Sequence, residues 1–252
     1  MMIDTAAYLG PWPYRPIQGT MAGLGAMLRA NGIQRALVSP LEGFFYTDPE
    51  PANERLLRRL SGKRRLFAAP VLNLRMAHWE DQMEALAGRA QVKAVRLAPG
   101  FHGYRAADAQ EAAEAAAELG LALIVQLRVQ DERSHPPMMK VQPVALDDVL
   151  ALAAATPGAR IIAAAARLGE ISEQWAHIRQ LKNLWLDISH LDGLDCIKRA
   201  RDAAGARRLV FSTCWPFFYA RSAVLKLEEA EIPPRQLDAI REANARAALA
   251  LG

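Results

Sequence analysis

Short apolar runs alternate with helix-forming stretches along the whole chain, and this alternation constrains the fold more than any other feature. Eight of the runs have the length of buried strands. The segments between them are rich in Ala, Leu, Glu and Arg, which favour helix. Such alternation is typical of βα units around a parallel sheet. The predicted strands are residues 2–8, 34–39, 66–74, 92–98, 121–129, 160–166, 184–189 and 208–213.

Eight βα units predict an α/β protein whose strands close into a (β/α)8 TIM barrel, as a single domain over residues 1–252. Right-handed crossovers favour this barrel over an open doubly wound sheet, and no Gly-rich phosphate-binding motif follows the first strand. The segment 132–145 interrupts the pattern, and we expect this loop to cover a site at the strand ends. The predicted helices are residues 21–30, 51–60, 79–89, 108–119, 146–155, 170–181, 194–204, 222–230 and 234–251.

Composition excludes several classes of protein. The formal net charge is +4, but Arg and Lys are dispersed among Asp and Glu, so we expect no nucleic-acid binding. No apolar run reaches the roughly 18 to 20 residues of a membrane span. Cys196 and Cys214 are too few for a disulfide framework, and the N-terminus lacks a signal-peptide pattern. The sequence therefore predicts a cytoplasmic protein, and its Ala- and Arg-rich composition is typical of a GC-rich bacterial genome.

Two motifs at the ends of the first and last predicted strands resemble those of a known family. IDTAAYLG at residues 3–10 is similar to I-D-x-H-x-H-x-G, and FSTCWP at 211–216 is similar to F-G-[ST]-D-W-P. Both patterns belong to the amidohydrolase 2 branch of the amidohydrolase superfamily. Weaker similarity follows in the same order in VKAVRLAP, FHGY, QLRVQDERSHP, NLWLDIS and IREANA. The resemblance implies a TIM barrel with hydrolase or decarboxylase activity.

The same resemblance indicates which positions of this sequence would hold a metal cofactor. In that branch the metal ligands are two histidines of the first strand, a histidine at the end of strand five or six, and the Asp of strand eight. Imidazole and carboxylate groups at these places bind a divalent ion and leave one coordination position open for water. Here Ala6, Tyr8 and Cys214 stand at three of these places, and residues 162–169 contain no histidine. We therefore expect a degenerate metal site without a cofactor. The alternative is one irregularly bound divalent metal such as zinc.

Alternation along the strands predicts which polar side chains face the barrel interior or its rim. His78 and His177 fall on predicted helices and are expected at the surface. The catalytic candidates are His102, His135, His190, Asp187 and Cys214. The substrate-binding candidates are Arg96, Arg128, Arg133, Gln126, Tyr104, Tyr8, Asn73 and Ser189.

These candidates leave alternatives open. Arg96, Arg128 and Asp187 form either a structural ion-pair network or a ligand site, and an excess of planar guanidinium groups suits a small anionic compound. Cys214 is either a nucleophile or, preferably, a small residue that fills the place of the Asp. The expected function is a hydrolase or decarboxylase acting on a small carboxylated or cyclic compound. The alternative is a catalytically inactive relative that binds a small ligand or a partner, and exposed aromatics make a homodimer plausible.

Overall fold

The chain folds into a closed barrel of eight parallel strand positions, so the predicted TIM barrel is confirmed. The computed structural model describes residues 1–252, apart from the side chain of Glu132. The third strand position is divided into β4 and β5. The strands are β1 (Ile3–Pro11), β2 (Gln18–Gly19), β3 (Arg35–Pro40), β4 (Leu66–Ala68), β5 (Val71–Leu72), β6 (Ala94–Leu97), β7 (Ala122–Gln126), β8 (Arg160–Ala164), β9 (Leu184–Asp187) and β10 (Leu209–Val210).

Backbone hydrogen bonds close the barrel between its first and last strands. Strands β1, β3 and β4 pair in parallel, as do β5 through β10, and only the short β2 is antiparallel, against the end of β1. The amide of Thr5 donates to the carbonyl of Phe211 at 3.0 Å, and that of Tyr8 donates to the carbonyl of Trp215 at 2.9 Å. A bridge between Ala68 and Val92 joins the two groups of strands on the other side.

Helices surround the barrel and follow the strands in the predicted order. The first helix begins after Thr20, whose hydroxyl accepts from the amide of Gly23. No helix in the described part of the chain is both long and apolar enough to cross a bilayer. A π-helical turn, Ala239–Ala243, separates the last two helices. The helices are α1 (Met21–Ala30), α2 (Glu50–Leu60), α3 (Trp79–Ala87), α4 (Pro99–His102), α5 (Gln110–Glu118), α6 (Leu146–Ala155), α7 (Leu168–Glu173), α8 (Trp175–Gln180), α9 (Cys196–Ala204), α10 (Ala220–Glu228), α11 (Pro234–Asp238) and α12 (Asn244–Leu249).

The barrel interior is built in three layers, because alternate residues of each strand point inward. A lower apolar layer is closed from below by α12. A middle layer is polar, and an upper layer is again apolar. The lower layer includes Leu37, Ala94, Ile124 and Val210. Two residues further along the same strands, the middle layer has Ser39, Arg96, Gln126 and Ser212, all buried. The upper layer includes Leu41, Ala98 and Cys214.

A bulge in β1 changes which of its residues face the interior. The register with β3 shifts between Asp4 and Ala7, so that Ile3 packs in the lower layer and Tyr8 in the upper one. The carboxylate of Asp4 accepts from the backbone amides of Ala6 and Thr213, each at 3.0 Å, and from the Thr213 hydroxyl at 2.6 Å. Burial raises the pKa of Asp4 to about 6, against these hydrogen bonds. Asp4 thus joins β1 to the segment after β10.

Candidate functional site

Three of the predicted substrate-binding residues form one buried network in the middle layer. The Arg96 side chain is fully buried; its Nε donates to the Ser39 hydroxyl at 2.9 Å and its Nη1 donates to Gln126 Oε1. The Tyr8 hydroxyl donates to the same Gln126 oxygen at 3.1 Å, and the Arg96 guanidinium lies 5.2 Å from the centre of the Tyr8 ring. Among the described residues, Arg96 Nη2 has no partner.

An aromatic cap covers this network. We define the cap as Tyr8, Trp12, Phe44, Phe101 and Phe217, which pack edge to face. The centroids of Trp12 and Phe217 lie 4.8 Å apart, and those of Phe44 and Phe101 lie 5.3 Å apart. Met139 and Val141 of the 132–145 insertion pack against these rings, as expected of a loop that covers the strand ends. The cap separates the polar layer from solvent.

Cys214 lies beneath the cap and is 1% exposed. Its thiol donates to the carbonyl of Val129 at 3.4 Å, and burial raises its pKa well above the ordinary value. The thiolate is the nucleophilic form of cysteine, so a buried thiol held protonated is a weak nucleophile. This environment favours the interpretation of Cys214 as a residue that fills space.

A cleft of about 490 Å³ opens beside the cap, at the carboxyl ends of β7, β8 and β9, the face on which TIM barrels carry their active sites. We call it the rim cleft. Two of the predicted site residues line it, Arg133 and His190. The full lining is Asp131, Arg133, Arg167, Leu168, Gly169, His190, Asp192 and Phe218.

A chain of hydrogen bonds orients His190. The Ser189 hydroxyl donates to Asp187 Oδ1 at 2.6 Å and lies 2.9 Å from His190 Nδ1. Because a hydroxyl has only one proton and gives it to Asp187, Nδ1 must donate to Ser189, and the acceptor lone pair is on Nε2. Nε2 is itself buried and has no partner among the described residues, so a ligand in the cleft reaches it only if the neighbouring side chains shift. Burial lowers the pKa of His190 to about 4, so the ring is neutral at pH 7.

Arg128 lies behind the rim cleft and is 6% exposed. Its guanidinium binds the carboxylate of Glu170 through two hydrogen bonds, one of them 2.9 Å long, and donates to the carbonyl of Ala165. Glu170 also accepts from the backbone amide of Arg167 at 2.7 Å, at the start of α7. Glu170 is therefore a carboxylate partner of Arg128, and the sequence did not indicate this pairing.

The other predicted residues lie outside the lining of the rim cleft. His102 Nε2 is 3.1 Å from the carbonyl of Gly43, its ring stacks on Tyr104, and burial lowers its pKa. Asn73 donates to the carbonyl of Thr47 at 2.8 Å. His135 is half-buried in the insertion. The structure thus brings the candidates together in two groups, one under the cap and one at the rim cleft. Four candidates belong to neither group: Asn73, His102, Tyr104 and His135.

Sequence reasoning missed a third constellation. Among the described residues, one group of three His, Cys, Asp or Glu side chains has its ligand atoms within 4.8 Å of one another: Asp48, Glu50 and His78. We call it the metal group. It joins the loop after β3 to the loop after β5. One sequence signal could have indicated that these side chains lie close together: both loops follow the carboxyl ends of neighbouring strands.

Comparison with solved structures identifies relatives of the fold. A 2,6-dihydroxybenzoate decarboxylase from Rhizobium is 17% identical with a TM-score of 0.75, over 99% of this chain and 98% of that one. A dihydroxybenzoic acid decarboxylase from Polaromonas, solved with manganese and 2-nitroresorcinol, is 15% identical with a TM-score of 0.75, over 99% and 97%. A 5-carboxyvanillate decarboxylase from Novosphingobium aromaticivorans, solved with manganese and a nitrobenzoic acid, is 13% identical with a TM-score of 0.75, over 100% and 96%. No curated protein sequence matches the chain.

The prediction that the protein has no cofactor is wrong. Two of these structures contain manganese, and the metal group of this chain brings three ligand side chains within reach of one ion. The prediction failed because it sought ligands at the family's motif positions and among the histidines that follow strands, and it placed His78 on a helix surface. The family prediction, in contrast, is confirmed by a family model described as Amidohydrolase, which matches residues 3–251. With nearly the whole chain matched, the protein belongs to the amidohydrolase family.

Proposed function

We propose that the protein is a decarboxylase-type enzyme that acts on a small aromatic carboxylate bound in the rim cleft. The observation that carries this proposal is the environment of His190, which lines the cleft as a neutral imidazole whose acceptor Nε2 is buried and unpartnered among the described residues. The ring of Phe218 packs edge to face against His190, with centroids 4.9 Å apart, and offers an apolar wall for an aromatic ligand. The names of the solved relatives, decarboxylases of dihydroxybenzoate and carboxyvanillate, support the substrate class.

Arg133 and Arg167 are the proposed carboxylate-binding residues. Arg133 already binds the carboxylate of Asp131 through hydrogen bonds from Nε, at 3.0 Å, and from Nη2. This contact, with a smaller contribution from the charge of Arg167, holds the pKa of Asp131 well below its usual range. The same electrostatic environment favours the ionised carboxylate of a ligand. A ligand would compete with Asp131 for Arg133.

The proposed chemistry is a proton transfer to the ring carbon that carries the carboxylate. His190 Nε2 takes the proton of a ring hydroxyl and delivers it to that carbon. The bond between the ring and the carboxylate then breaks, its electron pair stays on the ring, and CO2 leaves. Asp187 and Ser189 keep Nδ1 as the donor, so that Nε2 is the atom that accepts and returns the proton. A divalent ion such as the manganese of the relatives would find ligands in the metal group, where its charge balances two carboxylates.

Turnover of 2,6-dihydroxybenzoate and 5-carboxyvanillate, with MnCl2 supplied, tests the proposal. We expect Arg167→Gln to weaken binding of the carboxylate about tenfold, since one charged hydrogen bond is worth about 1.5 kcal/mol or more. We expect His190→Gln to reduce the rate of CO2 release at least about 100-fold while affinity changes little. The matched control is Arg64→Gln, an exposed arginine away from the cleft, which should leave both unchanged.

The possible outcomes separate the candidate functions. Binding of neither compound, or CO2 release unaffected by His190→Gln, contradicts the proposal. Saturable binding that depends on Arg167, without any CO2 release, identifies the catalytically inactive relative instead. That alternative is supported by the buried Cys214 in place of the acidic residue at the end of the eighth strand.

A further inference from the structure

We propose that Asp48, Glu50 and His78 form a divalent metal site on the rim of the barrel, with Gln82 as a fourth ligand. One nitrogen and two carboxylate oxygens of the metal group lie within 4.8 Å of one another. Bonds of about 2.1 Å hold neighbouring ligand atoms of a tetrahedral or octahedral site about 3.0–3.4 Å apart, so the three side chains need to approach one another by at most about 1.8 Å. Imidazole and carboxylate ligands together suit manganese and similar first-row ions.

Gln82 provides the second, independent observation. Its side chain lies on α3 and is only 9% exposed. Nε2 donates to Asp48 Oδ1 at 3.1 Å, which directs the amide toward the metal group, while Oε1 has no partner among the described residues. A buried acceptor without a hydrogen-bond partner destabilises the folded state. A cation held by Asp48 would provide the partner that this oxygen lacks.

The site lies between two loops that already contact each other. Asp48 and Glu50 lie just before and at the start of α2, and His78 directly precedes α3 without a side-chain hydrogen bond to the helix end. The Asn73 side chain donates to the carbonyl of Thr47, which links the same two loops next to the metal group. A bound ion would connect the loop after β3 to the loop after β5. The metal group shares no residue with the rim cleft, so loss of Mn²⁺ binding in its variants and loss of CO2 release in His190→Gln are distinguishable results.

Titration of the full-length, chelator-treated protein with MnCl2 tests the site. Calorimetry gives the stoichiometry and Kd, and the electron paramagnetic resonance signal of free Mn²⁺ gives an independent count of bound ions. We expect one saturable site per chain. Glu50→Gln should raise Kd about tenfold or more, because it removes a charged ligand. Glu54→Gln is the matched control, since Glu54 is a half-buried glutamate of the same helix that pairs with Arg89 at 3.7 Å and lies outside the metal group, and it should change Kd less than twofold.

Two further variants complete the test. His78→Gln should weaken Mn²⁺ binding as Glu50→Gln does, and Gln82→Leu should raise Kd by a smaller factor. Absence of saturable binding, or equal losses in Glu50→Gln and Glu54→Gln, overturns the site. Normal affinity in Gln82→Leu, with weakened binding in the other two, removes Gln82 from the ligand set. Circular dichroism of each variant without metal verifies that the barrel is intact.

Discussion

Arg96→Ala is expected to lower the free energy of unfolding by about 3–5 kcal/mol. The substitution removes a fully buried side chain from the middle layer and leaves a cavity beneath the aromatic cap. It also takes one hydrogen-bond partner each from Ser39 and Gln126, whose polar atoms stay buried. Urea denaturation followed by circular dichroism measures the change.

Two comparisons make this result specific. Arg64→Ala, at an exposed position, should change stability by less than about 0.5 kcal/mol. Arg96→Met keeps most of the side-chain volume but none of the hydrogen bonds. Its decrease in the free energy of unfolding should therefore lie between those of Arg96→Ala and Arg64→Ala. A loss below about 1 kcal/mol for Arg96→Ala, together with weaker binding of aromatic carboxylates, would show that Arg96 serves a ligand rather than the core.

Opposite changes in the pH dependence of stability are expected for His190→Gln and Asp4→Asn. Burial depresses the pKa of His190 from 6.5 to about 4, so the unfolded chain binds the additional proton between these values and stability falls as the pH falls. Burial raises the pKa of Asp4 from 3.8 to about 6, so the folded chain binds the proton in that range and stability rises as the pH falls. The two contributions oppose each other in the wild type.

Each variant removes one of these contributions. His190→Gln leaves Asp4, so its stability should decrease, relative to wild type, as the pH rises from 4 to 6. Asp4→Asn leaves His190, so its stability should increase over the same range. Shifts of about two pKa units correspond to changes on the order of 3 kcal/mol across this window. Urea denaturation at pH 4.5 and pH 7 measures both slopes, and identical slopes in all three proteins would contradict the burial of these groups.

The sequence predicted the barrel because the fold depends on local patterns repeated eight times. Helices α1 and α6 begin and end where they were predicted, and each predicted strand corresponds to one strand position. Strict alternation failed in β1, since the bulge between Asp4 and Ala7 arises from pairing with β3. The helix predicted over 170–181 is divided into α7 and α8.

The candidate site was predictable for residues that lie on the predicted strands or in the loops shortly after them. His190 comes just after β9, and its position at the rim followed from that placement. Arg167, Asp131 and Phe218 line the same cleft without having been predicted, because loop conformations after different strands decide which side chains meet. Glu170 lies 42 residues from Arg128, and no local pattern indicated their pairing. The roles of the predicted site residues stay predictions until variants are measured.

The aromatic cap separates two regions of the molecule. The buried barrel interior beneath it maintains the fold, and the loops beside it contact solvent. Rings such as Trp12 and Phe217 close the barrel interior, whereas the rim cleft is lined by loop side chains such as Asp131, Arg133 and Arg167. Exposed loop positions tolerate replacement at little cost in folding. The scaffold is therefore suited to directed evolution, in which libraries at the edge alter selectivity while the sealed bore preserves the architecture.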